Sequence, residues 1–199
     1  MTDLWTKLKT RSKPIFIYGM GNGAQKLFNI LEKYEIPICG VFASDEFVRD
    51  KYFNGFKIKS YGDIRRENDD IIVLTAFGTN RREVTDNIKR IAGECELYAP
   101  DIPVYGNTLF NTDYYRAHIK DLEFVRNRLN DDYSKNVFDC IVNFKLTGDI
   151  TYLFNCECDK SEPFENILKL NKDEIFMDLG AYRADTVLEF LKYTGGCQK

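Results

Sequence analysis

The feature that most constrains this chain is a hydrophobic run ending in glycines: Ile15-Phe16-Ile17-Tyr18 leads straight into Gly19-Met20-Gly21-Asn22-Gly23. A continuous apolar, β-prone run of this kind reads as a strand buried on both faces, and the glycines permit a sharp turn at its end. Directly afterwards Ala24, Leu27, Phe28, Leu31 and Tyr34 recur at the spacing of one helix face, with Pro37 just past its end. Ile38 to Phe42 follows as a second strand. A strand, a glycine turn, a helix and another doubly buried strand form a parallel βαβ unit, since parallel sheets are covered by helices on both faces.

The pattern repeats. Ile71 to Ala76 is a third long strand, Thr79 offers a helix cap, and Val84, Ile88, Ile91 and Ala92 mark a buried helix face before a strand at Cys95 to Tyr98. Phe56-Lys57-Ile58 alternates like a short edge strand, and Arg65 to Asp70 reads as a charged connector. Residues 1–104 therefore form a Rossmann-like α/β domain with a parallel sheet, into which Leu4, Trp5 and Leu8 pack as one face of a short N-terminal helix.

Pro100 to Pro103 breaks this pattern. Residues 105–172 read as a helical connector: Leu109 to Leu129 with Ile119, Leu122, Val125 and Leu129 near one face, then a helix capped by Ser134 and stopped by Gly148, then a start at Asp149 to Phe154. Residues 173–199 hold a second strand–glycine–helix unit. Glu174-Ile175-Phe176-Met177 enters Asp178-Leu179-Gly180-Ala181, and Val187, Leu188 and Leu191 follow at helical spacing. The expected architecture is an α/β sheet domain, a helical connector and the first βα unit of a second, truncated α/β domain.

Charge excludes some partners. Lys and Arg number 28 against 31 Asp and Glu, with +2 on the first hundred residues and −5 on the rest, so neither half offers a basic field to nucleic acid or a membrane. The start is polar and the longest apolar runs are strand-sized, so a cytoplasmic protein with reduced thiols is expected.

Two turns can do chemistry. Gly19-x-Gly21-x-x-Ala24 stands after a strand and opens a helix, where free N–H groups and the helix dipole can receive a phosphate; the alternative is a tight turn with an empty anion site. At the end of the second strand stand Ser44 and Asp45, of which Asp45 could accept a ribose hydroxyl, and Ala76-Phe77-Gly78-Thr79, closing the third, would line the same crevice. The candidate nucleotide-binding set is Gly19, Gly21, Gly23, Ser44, Asp45 and Gly78. In the other turn, Asp178 and its glycines suit an amino acid or nucleoside passing over a strand tip, although an acid there can also be a plain helix cap.

The run Asp178-Leu179-Gly180-Ala181-Tyr182-Arg183-Ala184-Asp185-Thr186 resembles the first cofactor motif of the FkbM family of S-adenosylmethionine-dependent methyltransferases, D-x-G-A-x-x-G-D-T. Asp178, Gly180, Ala181, Asp185 and Thr186 match, while Ala184 replaces the third glycine. The resemblance implies an S-adenosylmethionine site at those five residues and O-methyl transfer to a small-molecule or sugar hydroxyl. It supplies no catalytic residue in this chain: the family's base and acceptor pocket are expected beyond Lys199, so methyl transfer by residues 1–199 alone is not expected.

The first domain also resembles the nucleotide-sugar-binding N-terminal domain of sugar acetyltransferases. A second reading is therefore a non-catalytic module for a nucleotide-sugar or dinucleotide. A third is an interaction module whose connector helices pair chains as a homo-oligomer.

Other residues carry less. His118 is the only histidine and reads as a helix-surface or interhelix residue. Cys156-x-Cys158 lacks a second pair at zinc spacing, so no metal site is expected. Arg81-Arg82 and Arg65-Arg66 read as solvated charge, and Phe28, Phe138 and Phe176 as core.

Overall fold

The computed structural model describes residues 2–44, 48 and 51–196. The chain divides into two compact units, Met1–Cys156 and Glu157–Lys199.

The first unit opens with α1 (Leu4–Lys9), whose first turn is capped by the Asp3 carboxylate accepting from Thr6 N–H at 2.9 Å. Leu4, Trp5 and Leu8 are all buried, as their spacing predicts. Then come β1 (Ile15–Tyr18), α2 (Asn22–Lys33) and β2 (Gly40–Ala43), with every residue of both strands buried.

A hairpin follows, β3 (Tyr52–Phe53) and β4 (Phe56–Lys57), paired antiparallel across Asn54-Gly55. Both turn residues have positive φ, 45° and 83°, as Asn-Gly hairpin turns require. The chain continues through β5 (Lys59–Ser60), α3 (Tyr61–Glu67), β6 (Ile72–Thr75), α4 (Arg82–Glu94) and β7 (Glu96–Tyr98).

The five-stranded sheet runs β5-β2-β1-β6-β7, all parallel. The chain starts at the centre, winds outward through β2 and β5, then returns to β1's other side, giving the order and reversal of a Rossmann-like sheet. Strand alternation sorts the core into two layers. Ile15 and Ile17 face α1 and α2 with Leu8, Leu27 and Leu31, while Phe16 and Tyr18 join Ile64, Ile88 and Ile91 of α3 and α4 on the other face.

Several expectations change. The charged stretch at Arg65 is the end of α3, which starts at a capping box: Asp63 N–H donates to Ser60 Oγ at 3.0 Å while the Asp63 carboxylate reaches back to Ser60 N–H. The edge strand beyond β2 is β5 rather than Phe56-Lys57-Ile58, whose first two residues pair within the hairpin. Thr79 does not stand at the cap of α4. That position is Arg81, and Thr79 Oγ1 accepts from Arg81 N–H at 3.1 Å.

The long helix expected at Leu109 to Leu129 is two, α5 (Thr112–Ala117) and α6 (Ile119–Arg128), divided at His118. The next, α7 (Asp132–Thr147), is capped by Asp131, whose carboxylate accepts from Ser134 N–H at 2.7 Å; α8 (Thr151–Phe154) follows. Gly148 ends α7 at φ 66°, and its carbonyl accepts from Ala99 N–H at 2.7 Å, anchoring the helix beside the sheet. Leu146 and Ile150 are buried there, and Asp3 also accepts from Thr112 N–H at 3.0 Å, tying α1 to the start of α5. Phe28 and Phe138 are half-buried.

The second unit holds a π-helical turn (Pro163–Leu168) and α9 (Asp185–Thr194). Phe176 stacks on Phe190 at 4.3 Å and Phe164 on Tyr193 at 4.5 Å. Residues 174–177 are not a paired strand, and Ile175 is 99% exposed and Met177 77%. A strand exists only through a neighbour's hydrogen bonds, and the second unit has no other strand among its described residues. Phe176, expected in the core, is accordingly 42% exposed.

Candidate functional site: a crevice at the carboxyl ends of β1, β2 and β6

The order in which the chain adds strands reverses between β1 and β6, so the connections leaving these two parallel strands run to opposite sides. In open α/β sheets that is where ligands bind. A cavity of about 250 Å³ occupies this place, lined by Tyr18, Gly19 and Met20 at the end of β1, Ala43 and Ser44 at the end of β2, and Phe77 to Thr79, Arg81 and Val84 around the β6–α4 loop.

The three glycines of the first turn have different duties. Gly19 has φ +117° and lies against the Phe77 ring, so it makes the turn. Gly23 lies against the end of β6, where a side chain would strike the Ala76 carbonyl oxygen at 2.1 Å. Gly21 has ordinary φ (−92°) and nothing within 4 Å of where a β-carbon would stand. It is the N-cap of α2 and supplies no side-chain cap, so the first N–H groups of that helix have no capping side chain.

The apolar wall is aromatic. Tyr18, 1% exposed, stacks on Phe42 at 4.7 Å and meets the Phe77 ring edge-on at 4.9 Å. Its hydroxyl bonds Ser44 Oγ at 2.7 Å and accepts from Asn87 Nδ2 at 3.1 Å. Ser44 is thus held by a hydroxyl from the centre of the sheet, which a residue of α4 holds in turn.

At the rim, Arg81 donates through Nε to Glu83 Oε1 at 2.8 Å. Glu83's own backbone N–H, and then the Arg81 guanidinium, hold that carboxyl below the usual range.

The structure therefore brings Gly19, Ser44 and Gly78 into one cavity, with Gly21 and Gly23 at the start of the adjoining helix. Asp45 lies outside the described residues. Phe77 and Thr79 line it with Gly78, as expected of the stretch closing the third strand, while Tyr18 and Arg81 join the lining without having been singled out as binding residues from the sequence. The strand order, with β6 beside β1, brings Arg81 of the β6–α4 loop to the glycine turn. A larger hollow, about 510 Å³, lies at the far end of α2 among Phe28, Leu31, Pro37 and Phe56. Its charged lining residues are Glu32 and Glu35, so it offers nothing for an anion.

The second unit gathers its predicted residues into one turn. The Thr186 hydroxyl donates to Asp178 Oδ2, Gly180 takes φ +106° with nothing within 4 Å of a β-carbon position, and Asp185 begins α9. Ala181 stands inside the same turn and is exposed. Ala184, where the motif has glycine, takes φ 56° at the helix N-cap. The backbone keeps the glycine-like conformation although the residue has changed.

The remaining candidates have structural partners. His118 Nδ1 lies 2.9 Å from the Tyr114 carbonyl oxygen, and its ring stacks on Tyr114 at 4.1 Å. Burial pushes the Cys156 thiol up to about 11, with the Cys140 thiol adding to it, so it carries little thiolate at neutral pH. Cys197 lies outside the described residues. Among the described residues no helix is long and apolar enough to cross a membrane.

Comparison with known proteins places these features in context. The family described as C2185-like, N-terminal, matches residues 11–95, the segment from before β1 to the end of α4. No curated protein matches the chain. Among solved structures, the methyltransferase FkbM from Methylobacillus flagellatus KT aligns with a TM-score of 0.59 at 19% identity, over 96% of this chain and 56% of that one. RSP, a Rex-family repressor, aligns with a TM-score of 0.32 at 17% identity over 59% of this chain and 64% of its own, too distant to bear on the fold. The chain has a mixed α/β fold like that of the FkbM methyltransferase structure and spans about half of that protein's length.

Proposed function

We propose that this chain is part of an S-adenosylmethionine-dependent O-methyltransferase of the FkbM kind, with the turn at Asp178–Thr186 forming the start of the cofactor site. The observation that carries this reading is that the residues matching the motif stand together in one turn. Asp178 and Thr186, eight residues apart, are joined by a hydrogen bond around Gly180 and Ala181. The fold likeness to an FkbM methyltransferase over 96% of the chain supports it.

The residues present fit that cofactor. Asp178 and Asp185 offer carboxylate acceptors for its ammonium or hydroxyl groups, and no β-carbon at Gly180 obstructs approach to the backbone. When bound, S-adenosylmethionine supplies an electrophilic methyl group on a sulfonium. The chain's own contribution is orientation: Thr186 fixes the Asp178 carboxylate, and the start of α9 presents its dipole to the turn. The acceptor in this reading is a hydroxyl of a small molecule or sugar.

Equilibrium titration of the chain with S-adenosylmethionine and S-adenosylhomocysteine tests this, with Asp178→Ala alongside. Saturable binding that the variant loses is expected. Binding indifferent to Asp178→Ala, or no binding by folded protein, overturns the assignment.

The crevice of the first unit favours a second role in the same chain: holding a nucleotide-sugar or a dinucleotide. Its support is the cavity at the sheet's reversal, with an uncapped helix N-terminus beside it.

A further inference from the structure

We propose that Arg81 makes the crevice of the first unit selective for phosphorylated ligands, and that Glu83 holds its guanidinium in reserve until such a ligand arrives. The inference rests on the reading of the crevice as a nucleotide site and names the group that recognises the phosphate.

The cavity has two kinds of wall. Phe77, Met20, Val84 and the buried Tyr18 make an apolar floor, while Ser44, Thr79 and Arg81 bring the polar side chains. Such a site takes a ring-bearing body on the floor and fixes it at the rim. Arg81 is the cation of the lining, and its planar fork of donors matches phosphate oxygens. It stands at the N-cap of α4, which like α2 has no side-chain cap. A phosphate at the rim would therefore meet a guanidinium at the positive end of α4.

The present partner of Arg81 is easily exchanged. Arg81 and Glu83 have side chains 57% and 64% exposed, so their ion pair is solvated and contributes little. A phosphate carries more charge than one carboxylate and can take the same donors in parallel. The Glu83 carboxylate would then give up the guanidinium while keeping its own backbone N–H and its solvent exposure.

Calorimetric titration of the intact chain with UDP, inorganic pyrophosphate and uridine tests this, using wild type, Arg81→Gln, Arg81→Lys and Glu83→Gln. UDP and pyrophosphate are expected to bind and uridine to bind far more weakly. Arg81→Gln should weaken UDP roughly 10- to 100-fold, the range for losing a charged hydrogen bond. Arg81→Lys should restore part of the loss, because the charge remains without the fork. Glu83→Gln should tighten UDP by about two- to fivefold, since it frees the guanidinium; a merely structural ion pair would not give this gain. UDP binding that is indifferent to Arg81→Gln and Glu83→Gln overturns the inference while leaving the crevice a nucleotide site. Failure of folded wild type to bind either phosphorylated probe overturns both.

Discussion

Gly23 lies against the carbonyl oxygen of Ala76 so closely that a β-carbon on residue 23 would stand 2.1 Å from it. The start of α2 therefore rests directly on the end of β6, and this contact fixes the distance between the two loops that form the crevice. Because the obstructing atom is backbone, Gly23→Ala must displace the helix or the strand. The expected cost is about 1–3 kcal/mol, as for overpacked cores. Urea unfolding followed by circular dichroism checks it, and an unchanged midpoint would contradict the packing role.

Gly21, two residues earlier, should behave in the opposite way. Nothing lies within 4 Å of its β-carbon position and its φ is ordinary, so Gly21→Val should change stability by less than about 1 kcal/mol, the scale of a helix-cap preference. Its side chain would instead fill the space before the α2 N-terminus. Nucleotide-sugar affinity should fall at least tenfold by titration while the melting temperature holds. Unchanged affinity would remove Gly21 from the site.

Asp3 holds the fold's opening in place. It is 4% exposed and accepts from Thr6 N–H and Thr112 N–H. Burial alone would raise its pKa, but those donors outweigh it and leave the carboxyl below its ordinary value of 3.8. A depressed folded pKa contributes stability above the unfolded value, lost as pH falls through the folded one. Asp3→Ala should thus cost about 1–3 kcal/mol at pH 7, through a lost cap and an unsatisfied Thr112 donor. The gap between variant and wild type should narrow progressively below about pH 4, as measured by denaturant unfolding across pH. A gap that stays constant down to pH 2 would deny the carboxylate this role.

Ala184 occupies a backbone conformation that suits glycine, φ 56°. A side chain in the left-handed region costs about 1–2 kcal/mol, part of which glycine returns as unfolded-state entropy, so Ala184→Gly should stabilise the turn by about 0.5–1 kcal/mol. Amide exchange in the first turn of α9 should slow accordingly. Faster exchange would show that the alanine itself braces the loop.

Much of the first unit was legible because its signals are local. The run Ile15 to Tyr18 needs no partner to be read as a buried strand, and Ala24, Leu27 and Leu31 announce a helix by spacing alone. Helix α3 was hidden because it is short, ends in Arg65-Arg66-Glu67, and buries only Tyr61 and Ile64. Residues 174–177 have a strand's composition, but pairing depends on a neighbour that composition cannot supply. The glycine half of the crevice was visible as a motif, whereas Arg81 looked like ordinary surface charge. Its place emerges only when β6 returns to pair with β1.

If the chain holds two ligand stations, each ligand raises its melting temperature through its own turn. The intact chain would be melted alone and with millimolar S-adenosylmethionine, NAD or a UDP-sugar, each also against Gly21→Val and Asp178→Ala. A ligand at 100 times its dissociation constant adds about 2.7 kcal/mol, a shift readily seen. S-adenosylmethionine should give a rise that only Asp178→Ala removes, and UDP-sugar or NAD a rise that only Gly21→Val removes. A folded chain whose melting temperature none of these ligands moves would contradict both stations.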